Sequence, residues 1–124
     1  MSGFYKDLKA WQRAFDLAVE VYRLTKSFPD NERYGLTSQM RRSSVSLACN
    51  IAEGKGRSSD KDFIVFLCHA RGSLLELETQ ILLARRLAYL AEKQGSTLLE
   101  LTSEAGKMLN GLINSLRGAA DHAA

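Results

Sequence analysis

Residues 59–91 read SDKDFIVFLCHARGSLLELETQILLARRLAYLA. Phe63, Leu67, Ala70, Leu74, Leu77, Ile81, Ala84, Ala88 and Ala91 recur at alternating spacings of four and three. That period places them on one side of an α-helix and continues for about four heptads. Ser59, with Asp62 three residues later, supplies a capping-box-like start. The pattern predicts a helix over about 59–91, roughly 45 Å long at a rise of about 1.5 Å per residue. One such stripe needs several partners to cover it, so the rest of the chain has to supply them.

Three further amphipathic segments do so. Upstream, a helix is expected over about 36–53, with Leu36, Met40, Ser44, Leu47 and Ile51 as its core face. Its small residues Ser43, Ser44, Ser46, Ala48, Cys49 and Ala52 allow close backbone approach, and Gly54 and Gly56 are read as its stop. A first helix over about 8–27 carries two apolar stripes. One is Trp11, Ala14, Phe15, Ala18, Tyr22 and Thr25; the other is Leu17, Val21, Leu24 and Phe28. Pro29, the only proline, closes it. A last helix over about 97–117 starts at Thr97, with Glu100 as capping partner. Its stripe is Leu98, Leu101, Ala105, Met108, Leu112 and Ser115, flanked by Leu109, Ile113 and Leu116. Four such helices with short connections predict an all-α, antiparallel up-down four-helix bundle forming a single domain over 1–124.

Composition excludes several classes. The 124 residues are 45% hydrophobic and 25% charged, ordinary for a globular chain. No apolar run reaches about 18 residues, and Met1–Asp7 lacks a signal-peptide core; the expectation is a cytoplasmic protein that does not enter a membrane. Cys49 and Cys68 are read as small buried or half-buried hydrophobes, since two cysteines make no disulfide scaffold. The net charge of +3 permits a polyanionic partner without requiring one.

No catalytic or metal constellation emerges. Glu-x-x-His pairs, the signature of carboxylate-bridged metal bundles, are absent, and Glu76 and Glu78 point in different directions. His69 and His122 cannot form a ligand set, and Cys68 beside His69 projects about 100° away from it. No cofactor, metal site or catalytic residue is therefore expected, and the chain reads as a non-enzyme. Arg71, Glu78 and Arg85 repeat every seven residues beside the core stripe, at edge positions suited to interhelical ion pairs.

Two features remain as functional candidates. Gln39, Ser46, Asn50 and Glu53 gather on one flank of the second helix, a polar seam open to three readings: an interhelical network, a subunit interface or a ligand site. Arg41, Arg42, Lys55, Arg57 and Lys61 are candidate contacts to a phosphate backbone. No aromatic is interleaved with Lys55, Arg57 and Lys61 in sequence, so base stacking is not expected there.

Several motifs then come together: Trp11-Gln12-x-Ala14, Phe28-Pro29-x-x-Glu32-x-Tyr34-Gly35-Leu36, Gln39-x-Arg41-Arg42-x-x-x-Ser46, Asn50-Ile51-Ala52-Glu53-Gly54, and Phe63-x-x-Phe66-Leu67-x-x-Ala70-x-Gly72-Ser73. They resemble the four-helix bundle family of 23S rRNA intervening-sequence proteins over nearly the whole chain. Two departures appear: Ser43 stands where that family often has alanine, and the Gln94-Gly95-Ser96 connection is richer in glycine than expected. The resemblance implies a bacterial protein, a homopentameric ring and no established enzymatic activity. A structurally similar protein is the accessory variability determinant of diversity-generating retroelements, a basic pentamer that works with a reverse transcriptase. The expectation is an oligomeric accessory protein that binds RNA or DNA through a basic surface. The alternative is an oligomeric protein–protein interaction scaffold.

Overall fold

The computed structural model describes residues 4–123, with side chains through Ala119. After a 3-10 turn at Tyr5–Asp7, helix α1 covers Lys9–Thr25 and a second 3-10 turn covers Asp30–Glu32. Then come α2 (Leu36–Lys55), α3 (Asp60–Arg86) and α4 (Glu92–Ala123), and no strand occurs among the described residues. Each helix packs against its chain neighbours, and α1 closes the square against α4. The diagonal pairs face each other only across the core. Leu17, Met40, Leu47, Ile51, Leu67, Leu77, Ile81, Leu98, Leu109 and Ile113 fill that core with under 2% exposure. Burying each such side chain contributes about 1.5–3 kcal/mol.

The stripe in 59–91 is buried from Phe63 to Ala84, as its period requires. The expected capping start is present: Ser59 Oγ accepts from the Asp62 amide at 3.1 Å. The end differs from expectation. The helix stops at Arg86, and Ala88 takes a left-handed φ of 62°. Tyr89 N–H donates to Ala84 O at 2.9 Å and Ala88 N–H to Arg85 O at 3.0 Å, the paired bonds of a Schellman stop with alanine in the glycine position. Ala88 and Ala91 keep the apolar spacing but are exposed, while Leu90, outside the stripe, is buried, so sequence spacing does not register the break.

Helix α4 also begins earlier than expected, at Glu92 rather than Thr97. Gln94 Oε1 reaches back to the Ala91 amide at 2.9 Å, the acceptor half of a capping box. Thr97 Oγ1 donates to Lys93 O at 3.0 Å from inside the helix. Gly95 is no linker: a Cβ there would lie 2.6 Å from Arg85 Cδ, so its bareness seats the arginine stem. The core face of α4 is rotated from the expected stripe. Leu98, Thr102, Ala105, Leu109 and Ile113 are buried, while Leu101, Met108 and Leu112 are half-buried and Ser115 is exposed.

In α1 the second stripe, Leu17, Val21, Leu24 and Phe28, makes the core. The first stripe divides. Ala14 and Thr25 are buried, while Phe15 and Tyr22 remain 49% and 43% exposed. On α2 the expected core face is buried throughout, but Cys49, expected to be buried or half-buried, is exposed, while Cys68 on α3 is half-buried. Gly56 caps α2 as expected, while Gly54 lies earlier, in its last turn. A Cβ there would come within 2.8 Å of Phe63 Cδ1 and of Phe66 Cβ, so the glycine admits the first turns of α3.

Candidate nucleic-acid interface

The short connections of an up-down bundle put residues 26–35 and 87–91 at the same end. Two contacts join them there. Tyr89 O–H donates to Glu32 Oε2 at 3.0 Å, and the Phe28 and Tyr89 rings lie 5.5 Å apart. The Glu32 bond and partial burial hold the Tyr89 phenol above the ordinary tyrosine range. Glu32 Oε1 also accepts from the Leu36 amide at 3.1 Å, so this carboxylate is committed to the first turn of α2.

Around that stapled end lie Lys26, Arg33, Arg41, Arg42, Arg85, Arg86 and Lys93, against Asp30, Glu32 and Glu92. Among the described residues, no carboxylate pairs with Lys26, Arg33, Arg41 or Arg42. Arg23, by contrast, is neutralised by Glu20 at 2.6 Å, whose carboxyl it holds below the usual range chiefly through that hydrogen bond. Arg41 is anchored: its Nε donates to Thr25 Oγ1 at 2.9 Å and its guanidinium lies 4.7 Å from the Tyr22 ring centroid. Thr25 passes the bond on, donating to Val21 O at 2.6 Å. Arg42 is exposed on the next position. Tyr22, Arg33, Tyr34, Thr37, Ser38, Arg41 and Arg42 line one shallow depression.

The five candidate phosphate contacts do not form one patch. Arg41 and Lys55 lie on one continuous helix, about 21 Å apart along its axis. Lys55, Arg57 and Lys61 occupy the opposite end of the bundle, where Asp60 and Asp62 dilute them. Aromatics absent from that segment in sequence arrive from α3: Arg57 lies 4.5 Å from the Phe66 ring centroid and Lys55 lies 5.9 Å from that of Phe63. Arg33 and Tyr34 are the residues that sequence reading missed. Both lie just before α2, and its first two turns bring them beside Arg41 and Arg42.

The polar seam also divides. Asn50 Nδ2 donates to Ser46 O at 2.9 Å and to Ser46 Oγ at 3.1 Å, and Ser46 Oγ pairs with Ser73 Oγ of α3 at 2.9 Å. This half is an interhelical network within one chain. Gln39 and Glu53 are exposed and lie outside it. Gln39 borders a groove with Leu36, Leu75, Thr79, Gln80 and Leu83, and Gln80 Oε1 is buried there without a hydrogen-bond partner. Of the heptad-spaced charges, Arg71 reaches Asn110 Oδ1 at 3.2 Å, a neutral partner in place of an ion pair. Among the described residues, the interhelical ion pair is instead Arg13–Glu104, at 2.5 Å between α1 and α4.

Among the described residues, no three His, Cys, Asp or Glu side chains converge as metal ligands. No helix among the described residues is long and apolar enough to cross a membrane.

The model of a family described as 23S rRNA-intervening sequence protein matches residues 6–111. Among solved structures, the chain resembles a protein of unknown function from the S23 ribosomal protein family of Bacteroides thetaiotaomicron VPI-5482. The two share 25% identity and a TM-score of 0.78, over 85% of this chain and 95% of that one. No curated protein matches the chain.

Proposed function

Because the chain belongs to the 23S rRNA-intervening sequence protein family, we propose that it is a non-enzymatic accessory protein of the bacterial cytoplasm that assembles as a homopentameric ring and binds RNA or DNA backbone. The observation that carries the reading is the set of unpaired cations at one end of the bundle. Lys26, Arg33, Arg41 and Arg42 have no carboxylate partner among the described residues and lie within one region of surface. An unpaired guanidinium is free to displace the counterions of a phosphate. Arg41 adds a fixed geometry, because Thr25 and Tyr22 hold it from behind.

Assembly is supported by two apolar strips on diagonal helices. Phe15 and Val19 are exposed on α1; Leu75, Leu82 and Leu83 are exposed on α3. Two different patches on opposite sides of a subunit suit a head-to-tail contact, which closes into a ring when the rotation permits. A ring of five chains, each at +3, would carry about +15 and multiply weak contacts through avidity.

Fluorescence anisotropy with a structured RNA tests the binding. Association is expected at about 50 mM salt, with affinity falling steeply toward about 200 mM. The double variant Arg41→Gln/Arg42→Gln weakens it, while Lys55→Gln/Arg57→Gln at the other end leaves most of it. Absence of binding at about 50 mM salt overturns the reading. A protein-interaction scaffold is the second reading, favoured by the exposed leucines of α3. Pulldown partners retained after RNase treatment would support it.

A further inference from the structure

We propose that the stapled end of the bundle takes an unpaired nucleobase against Tyr34, with flanking phosphates held by Arg33 and Arg42, so that the nucleic acid is single-stranded at the contact. This rests on the nucleic-acid reading above and specifies its ligand. Tyr34 is 87% exposed and contributes almost nothing to the core. Its neighbours separate it from an incidental surface aromatic. The Arg33 guanidinium lies 5.4 Å from the ring centroid, and Arg41 and Arg42 line the same depression. Tyr22, the other aromatic there, already carries Arg41 at 4.7 Å, whereas most of the Tyr34 ring is open to a ligand. Thr37 and Ser38 line the depression too, and the Ser38 hydroxyl makes no hydrogen bond among the described residues.

An open ring beside unpaired guanidinia is the pairing that single strands require. Each base offers a face for stacking and each phosphate a charge, and the combination tolerates any sequence. A continuous duplex conceals its base faces in the stack and would use only the cations. At the start of α2 the Leu36 amide is already bonded to Glu32.

The test is anisotropy at about 50 mM salt with a single-stranded RNA, a DNA strand of the same sequence, and the corresponding RNA duplex. Both single strands are expected to bind more tightly than the duplex. Tyr34→Ala should weaken single-strand binding roughly 5- to 150-fold, and Tyr34→Phe should restore it. The log–log salt slope stays unchanged in Tyr34→Ala and falls by about 0.7 in Arg42→Gln. Thermal melting of Tyr34→Ala should match the parent, since the ring is outside the core. Equal affinity for duplex and single strand, with Tyr34→Ala affecting neither, overturns the stacking proposal and leaves backbone binding standing. Absence of binding by all three nucleic acids overturns both.

Discussion

Gly54 shows how one missing side chain can control a helix junction. Its bare Cα lets Phe63 and Phe66 approach α2 more closely than a Cβ would permit. Both obstructing groups are anchored, Phe63 in the core and the Phe66 Cβ on its own backbone, so neither can give way cheaply. Gly54→Ala is therefore expected to cost about 1–3 kcal/mol, read as a lower urea midpoint with an unchanged slope. Tyr89 makes a different prediction, in pH. Its folded-state pKa is raised by the bond to Glu32, so the neutral phenol stabilises the fold below about pH 10, and that contribution is lost as pH rises through the folded value. Tyr89→Phe should melt below the parent at about pH 8, and the gap should narrow by about pH 11. A gap that is constant across this range would show that the Glu32 bond does not set the titration.

At the scale of the element, the α3–α4 corner is where periodicity and structure part. The stop is a Schellman turn built on alanine, and Ala88 adopts the left-handed conformation at φ 62°. A non-glycine residue there costs about 1–2 kcal/mol relative to its ordinary conformation. Ala88→Gly is expected to raise stability by up to about 1 kcal/mol, after the added flexibility of the unfolded chain is offset. Ala88→Val should lower it, and chemical denaturation of the pair measures both. Nothing in local spacing announced this turn, because the usual glycine signal is missing and the small residue fits the apolar stripe equally well. The Gln94-Gly95-Ser96 stretch misled in the opposite direction. Its glycine accommodates the Arg85 stem within a continuous helix.

For the whole molecule, the exposed strips on α1 and α3 bear on assembly. Leu75 is 59% exposed and Leu83 is 49% exposed, on the side of α3 away from the core. Leu75→Glu/Leu83→Glu should leave the monomer folded and, if the ring forms through this strip, reduce the mass seen by light scattering. A parent protein that scatters as a monomer would remove the ring and its avidity together. The same scale decides the cation surface. Arg33 and Tyr34 meet Arg41 and Arg42 across the first turns of α2, packing adds Tyr22 of α1 to the same depression, and the Tyr89–Glu32 bond ties that connection to the α3–α4 corner.

Helical class, the number of helices and most of the core were legible from spacing alone, because burial imposes a period of 3.6 on any helix with one apolar side. Phe63 to Ala84 on α3 and Leu36 to Ile51 on α2 could be read directly. The rotation of α4, the alanine stop at Ala88 and the close approach at Gly54 could not, since each depends on what a neighbouring helix presents. The site divides in the same way. Sequence marked Arg41 and Arg42 as cations and Ser46 and Asn50 as a polar seam. Helix length alone separates Lys55 and Arg57 from the two arginines, but only the tertiary structure turned Ser46 toward Ser73 and set Tyr22 and Thr25 of α1 behind Arg41. A charge is a property of a residue, but a binding surface is a property of distances, and those are set when the helices pack.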